Sequence, residues 1–469
     1  MTEHMSQPNV LILMCDQMQG KRMGFVDGIA HTPNLDALAA EGVYFSNTIS
    51  VHGQCVPSRC ALVTGKSPHE TNVMVNFGFH GHCGTLTPHT RTFYHDFQDA
   101  GYTTAHFGKS HLGAPLQTLG FDVGECLDGN FPEGKEPIER IQAREESLAN
   151  GGDGHTARDR ERSTHYKALD EGLAWLRDYQ PGEKPLFFMF DTNLPHPPFY
   201  WEQEWESQFR PEDMILPKSY YEETFEGKPP FLKEHAERGP HKLQSEEQLR
   251  TEMAQYYTLI AAVDKACGQI IDMFKEKGMW DNTIVLFLSD HGDMMGGHGL
   301  RRKGTMPYEE VYNVPCIMKL PAGMESKRSV IEEPVISTDL PGTLLKMAGI
   351  EPSPQFADSD VARALEREAP TGDEHVFFEH YAAWYGVHPF YGVRTARMKY
   401  VRWYGKEDFE ELYDLEKDPD ELHNVVKDPA YQEQYADLAA RADAWWKKTG
   451  GRSADFYETE KFKNNLNRA

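Results

Sequence analysis

Short runs of apolar, β-rich residues recur along the chain at Val10 to Cys15, Thr103 to Phe107, Leu186 to Phe190 and Thr283 to Leu288. Polar residues interrupt them little, which is the pattern of strands buried on both faces in a parallel sheet covered by helices. Helical periodicity lies between them. It is clearest from Glu252 to Lys277, where Met253, Tyr256, Leu259, Ile260, Val263 and Cys267 fall on one face and Gly278 stands where a C-cap belongs. Strand and helix in alternation predict an α/β fold in which a large, mostly parallel sheet is sandwiched by helices. Two stretches break the alternation. Arg140 to Thr164 is charged and contains glycine, and Trp201 to Arg250 is rich in Pro, Glu and aromatics, so both read as surface excursions. After about Pro370 the character changes again: Val376 to Phe378, Tyr391 to Arg394 and Lys399 to Trp403 read as short strands, and Gln432 to Lys448 as a helix. The expected division is a main α/β domain over 1–370 and a smaller C-terminal α+β subdomain, with a small antiparallel sheet and a helix, over 371–469.

Composition narrows what such a fold does. The 469 residues include 73 acidic and 48 basic side chains, a formal charge of −25, which excludes a nucleic-acid binder held by broad phosphate neutralisation. The opening residues carry no basic segment followed by an apolar one, and Val10 to Cys15 is too short to span a bilayer, so no membrane association is expected. Seven cysteines, an odd number widely spaced, do not make a disulfide framework. The expected location is the reducing cytoplasm, and the expected ligand a small imported molecule rather than an external polymer. An acidic surface repels anions, so an anionic substrate requires a locally basic pocket.

Candidate chemistry sits where the apolar runs end. Asp16 and Gln17 close the first run, at the edge of the sheet where ligands of open α/β folds gather. Asp290, His291, Gly292 and Asp293 follow the Thr283 run in the same way. Oxygen donors from Asp16, Gln17 and Asp290 suit calcium, magnesium or manganese, and a nitrogen from His291 favours manganese; a helix cap at Asp16 and a polar turn at Asp290 are the alternatives. Pro57 near its start and Gly65 past its end bracket a short helix, which sets Cys55 at the positive N-terminal end with Arg59 one turn on. That position favours a thiolate, hence a nucleophile or metal ligand, as against a buried inert cysteine. Lys109 and His111 follow the Thr103 run, His196 follows the Leu186 run among prolines, and Arg301, Arg302 and Lys303 follow Asp290 by about a dozen residues. Singly these are ordinary structural or solvated residues. Together they supply the basic pocket that the net charge demands.

The segment Cys55-Val56-Pro57-Ser58-Arg59, followed by Leu62-Val63-Thr64-Gly65, resembles the signature of the type I sulfatases of the alkaline phosphatase superfamily. Further segments agree in order: Thr32 to Asp36, Gly108 to His111, His196 to Phe199, Ser289 to Gly292, Lys303, Ser337 to Leu340, and Glu411 to Leu415 followed by Asp418-Pro419. The resemblance implies an alkaline phosphatase-like fold and hydrolysis of a small-molecule sulfate monoester by an aryl, alkyl or sugar sulfatase. It also implies that a formylglycine-generating maturase oxidises Cys55 to formylglycine. One divalent ion, calcium or manganese, is then held by Asp16, Gln17, Cys55 in its modified form, Asp290 and His291. Arg59 and Lys109 support the aldehyde hydrate, His196 and Lys303 hold sulfate and assist the departing alcohol, and His111 takes the proton that releases sulfate. Monomers and homo-oligomers are both compatible with the family. The loops Arg140 to Thr164 and Trp201 to Arg250 and the stretch Tyr381 to Tyr391 are expected to shape the leaving-group pocket, with Trp384, Tyr385 and His388 stacking on an aryl or sugar group or packing between subdomains.

Departures from the family pattern define the alternatives. Gln17 and His291 stand where many sulfatases carry an acid and an asparagine, leaving the site less negative by one formal charge. This resembles the branch of choline sulfatases and phosphonate monoester hydrolases, so phosphonate monoester or phosphodiester hydrolysis competes, although Lys109 and His111 favour sulfate. The segment Gly296-Gly297-His298-Gly299 also departs from a commoner acidic version. A third reading is a non-catalytic anion-binding protein in which Cys55 stays a thiol.

Overall fold

The computed structural model describes residues 7–76, 85–126, 164–182, 184–197, 208–238, 245–303, 306–357, 361–381, 388–404 and 408–451. The predicted apolar runs are the central strands of an eight-stranded mixed sheet. Its order is Val330–Ile331, Val43–Phe45, Cys316–Lys319, Thr283–Ser289, Asn9–Asp16, Leu186–Pro195, Thr103–Gly108 and Val123–Cys126. The last five of these run parallel, and Cys316–Lys319 is antiparallel to both of its neighbours. Alternation along the first strand explains its continuous apolar sequence: Leu11, Leu13 and Cys15 enter one core, Val10, Ile12 and Met14 the other. Each core is closed by helices. Glu246–Glu276, Thr164–Asp178 and Pro33–Glu41 cover one face, and Cys55–Thr64, Phe93–Asp99 and Leu340–Met347 the other.

The surface excursion expected from Trp201 to Arg250 is corrected over its described part. Lys218–Glu222 and Pro230–Arg238 are helical, and the long helix begins at Glu246 rather than Glu252. Its extra turns follow from Ser245, whose side chain accepts a hydrogen bond from Gln248 N, and from Glu246 and Glu247 at the positive end of the helix. Gly278, with φ +66°, takes the chain out of the other end. The excursion expected from Arg140 lies outside the described residues up to 163; Thr164 opens a helix.

Towards the C-terminus, His375–His380, Phe390–Thr395, Met398–Trp403 and Phe409–Asp414 form an antiparallel sheet in chain order. The helix Gln432–Thr449 lays Leu438, Ala442 and Trp446 on one face of it, against Tyr391, Val393, Tyr400 and Leu412. The opposite face, with Phe378, Val401, Trp403 and Tyr413, packs on Met294, Leu300, Met306 and Tyr308. The small sheet thereby backs the segment that follows Asp290.

Candidate active site

Strand register brings the candidate ligands together. Cys15 pairs with Ser289, so Asp16 and Asp290 leave adjacent strands side by side. Gln17 turns away with φ +72°, its backbone N–H donating to Asp290 Oδ1 at 3.1 Å. The Gln17 amide donates to Asp293, which fixes the side chain and leaves Oε1 buried without a partner. The helix Cys55–Thr64, buried throughout, is pinned beside them: Ser58 Oγ donates to Asp290 O at 2.7 Å, and Gly65, φ +67°, terminates the helix.

The donor atoms of Asp16, Cys55, Asp290 and His291 all lie within 4.8 Å of one another. Cys55 Sγ is 3.2 Å from His291 Nε2 and 3.6 Å from Asp16 Oδ1. His291 Nδ1 donates to Gly292 O at 2.8 Å, so in the neutral ring the Nε2 lone pair faces the other donors. Burial pushes that imidazole down to about 3, the form a metal takes. Two clustered carboxylates, a thiol, an imidazole nitrogen and the unpartnered Gln17 oxygen make a donor set that fits a divalent cation.

Cations crowd the same point. Lys303 Nζ donates to Cys55 Sγ at 2.9 Å and lies 3.7 Å from Asp16 Oδ1; Lys109 pairs with Asp16 Oδ2. Arg59 Nε donates to Asp290 Oδ2 at 2.7 Å and Nη1 to Asp191 Oδ2 at 2.5 Å. Burial works against the Asp290 anion, but His291, Arg59, Lys109 and Lys303 outweigh it and hold the carboxyl well below its usual range. His111 and His196 stand within electrostatic reach of both lysines. Burial first, then those lysines, push both imidazoles well below their ordinary value.

The sequence expectation of a thiolate at Cys55 is corrected. Its position at the helix start is as predicted, yet complete burial pushes the thiol up, and Lys303 and Arg59 do not reverse this. Of the basic triplet only Lys303 meets the cluster; Arg301 pairs with Glu252, and the Arg302 backbone N–H donates to Asp293 Oδ1 at 2.9 Å. His388 stacks on Phe231 with ring centres 4.4 Å apart, which is internal packing, while Trp384, Tyr385, Pro198 and Phe199 lie outside the described residues. Within the Gly296 to Gly299 segment, a Cβ at Gly297 would run into the Glu310 carboxylate. One residue of the site escaped sequence reasoning. Asp191 is buried against Arg59 and carries the same signal as Asp16, a carboxylate late in an apolar strand.

The sulfatase family model matches residues 8–350, and the model for the N-sulphoglucosamine sulphohydrolase C-terminal region matches residues 296–448. The chain belongs to the sulfatase family. A choline-sulfatase of Rhizobium meliloti is 29% identical, covering 93% of this chain and 86% of the relative. An arylsulfatase of Clostridium perfringens is 27% identical over 91% of this chain and 92% of its own. Among solved structures, the phosphonate monoester hydrolase of Agrobacterium radiobacter shares the fold with a TM-score of 0.75 at 22% identity, covering 94% of this chain and 96% of that one. The protein is a sulfatase, an enzyme that hydrolyses sulfate esters, built on an alkaline phosphatase-like sheet with an added C-terminal antiparallel sheet.

Proposed function

We propose that this sulfatase cleaves a small sulfate monoester with residue 55, oxidised from cysteine to formylglycine by a maturase, as its nucleophile. The mutual approach of Asp16, Cys55, Asp290 and His291 within 4.8 Å carries the reading. Gln17 Oε1 completes a set that would hold one calcium or manganese ion. Such an ion supplies Lewis acidity to the nucleophile and to the sulfate oxygens. Formylglycine supplies a hydrated aldehyde, in which one hydroxyl attacks sulfur and the second lets the adduct collapse without water attacking a crowded anion.

The side chains divide the remaining work. Lys303, 2.9 Å from Sγ of residue 55, faces the bond that forms and offsets charge on the transferred group. Lys109 and Arg59 do the same from the Asp16 and Asp290 sides. Burial keeps His111 neutral, and a neutral imidazole can take the proton whose removal expels sulfate. His196 and Lys303 bind the ester and protonate the departing alcohol; the arriving anion favours the charged imidazole that burial and the lysines otherwise oppose. A reducing cytoplasm is the location we read from the odd number and wide spacing of the seven cysteines.

Peptide mass analysis at residue 55, combined with parallel turnover of an aryl sulfate and a phosphonate monoester, tests this reading. We expect the mass loss of thiol-to-aldehyde conversion and a kcat/KM at least about tenfold higher for the sulfate, some 1.4 kcal/mol in transition-state binding. A thiol at residue 55 in an active preparation removes the nucleophile assignment. Preference for the phosphonate transfers the site to the phosphonate hydrolase reading, which Gln17 and His291 support.

A further inference from the structure

We infer that Asp191 is a positioning residue of this sulfatase, holding Arg59 in the one orientation that serves residue 55; the inference rests on the function proposed above. The first strand lies between the strands that carry Asp191 and Asp290. Met14 is in register with Asp191 and Cys15 with Ser289, so the two carboxylates flank Asp16 on opposite sides. The Arg59 guanidinium bridges them, with Nε 2.7 Å from Asp290 Oδ2 and Nη1 2.5 Å from Asp191 Oδ2. A planar group fixed at two edges cannot rotate. Its third nitrogen, Nη2, is buried, makes no hydrogen bond and lies 3.8 Å from Asp16 Oδ2. It is a donor kept inside the cluster.

Without Asp191, the remaining short carboxylate contact of Arg59 is Asp290, and the guanidinium is free to turn about it. Asp191 also reaches the other cation of the site, because its carbonyl accepts the Lys109 backbone N–H at 3.0 Å. Gly108, φ +117°, makes that approach possible, since a Cβ there would run into the same carbonyl. The second carboxylate oxygen of Asp191, Oδ1, is buried and makes no hydrogen bond. The side-chain hydrogen bond of Asp191 comes from Arg59.

The test is a double-mutant cycle in the full-length holoenzyme, with formylglycine content checked by peptide mass. Asp191→Ala is expected to lower kcat for an aryl sulfate by about 10- to 100-fold with KM changed less than about threefold, the effect of a misplaced group that acts mainly in the transition state. Asp191→Asn, which still accepts from Nη1, should return kcat to within about fivefold of the native value. In an Arg59→Ala background, Asp191→Ala should change kcat less than about twofold, because a residue acting through Arg59 has nothing left to position. Equal losses in the Ala and Asn variants, a loss that persists without Arg59, or native kcat in Asp191→Ala each overturn the inference. Should Asp191→Ala not fold, Asp191→Ser, polar but too short to reach Nη1, replaces it in the same cycle. The native enzyme assayed alongside reports on the sulfatase reading independently, since its inactivity would sink that reading before any variant is compared.

Discussion

Two buried charge clusters lie on either side of the segment from Asp290 to Tyr308, and they are built to opposite rules. Beneath the C-terminal sheet, Lys399 Nζ donates to Glu309 Oε1 at 3.0 Å and Pro307 O at 2.8 Å and lies 2.6 Å from Glu421 Oε1, so two carboxylates and a carbonyl surround the ammonium. Glu411 receives Trp403 Nε1 and the Tyr413 hydroxyl, each at 2.6 Å. His298 bonds Glu223 and lies flat on Tyr308 with ring centres 3.7 Å apart. At the strand ends, by contrast, the ligand atoms of Asp16, Cys55, Asp290 and His291 all face one point, within 4.8 Å of one another. Burial and charge density are common to both clusters. Unmet polar valence does not separate them, since Glu421 Oε1, His298 Nε2 and the Tyr308 hydroxyl are also buried without a hydrogen bond; the structural cluster closes on itself in pairs, whereas the reactive one opens its ligand atoms onto a single point.

The strongest break of this comparison comes at residue 55. Cys55→Ala should abolish sulfatase turnover, by roughly 10³-fold or more, while its thermal midpoint stays close to native, because the open cluster contributes function rather than stability. Cys55→Ser should turn over once and stop, holding a sulfo group visible by intact mass, since an ordinary alcohol ester lacks the second hydroxyl that releases sulfate. Sustained turnover by a serine protein free of formylglycine would sink the role given to the hydrate. The closed cluster should respond the other way. Lys399→Ala strands Glu421, leaves Glu309 with Arg394, and should destabilise the fold by about 3–5 kcal/mol in denaturant unfolding. The kcat of the molecules that remain folded should stay within about a factor of two. A Lys399→Ala protein of native stability and lost activity would erase the distinction.

The clusters were unequally legible in the sequence. Asp16, Asp290 and Cys55 announce themselves because strand ends and helix starts have local signals, an apolar run that stops and a proline and glycine that bracket a turn. Asp191 carries the same local signal as Asp16 but goes unmarked, because the apolar run ends at Phe190 and the candidate chemistry after it is sought at His196. The strand runs on to Pro195 because the first strand pairs with it past that point, Met14 with Asp191 and Asp16 with Pro195. The Cys55 thiol shows the converse limit. Its helix position was legible, but the burial that pushes it up comes from tertiary packing, and the charges that add to or oppose that push, Asp290 and Lys303, lie far along the chain. The strand Phe409–Asp414 escaped as well, since Glu410 and Glu411 hide its alternation until Trp403 and Tyr413 are seen to satisfy Glu411.

The smallest expected effect lies outside both clusters, at the start of the long helix. Its apolar face is already readable from Met253 onward, yet the helix begins at Glu246, where little core is buried and the local signal is Ser245. The Ser245 hydroxyl accepts from Gln248 N at 3.1 Å and satisfies one of the backbone donors that a helix start leaves open. Ser245→Ala should therefore lower stability by about 1 kcal/mol with kcat and KM unchanged, a loss that Ser245→Asp should restore because its carboxylate both caps and opposes the helix dipole. Equal stability of the Ala and Asp proteins in urea would mean that packing of the later turns, rather than the cap, sets where this helix begins.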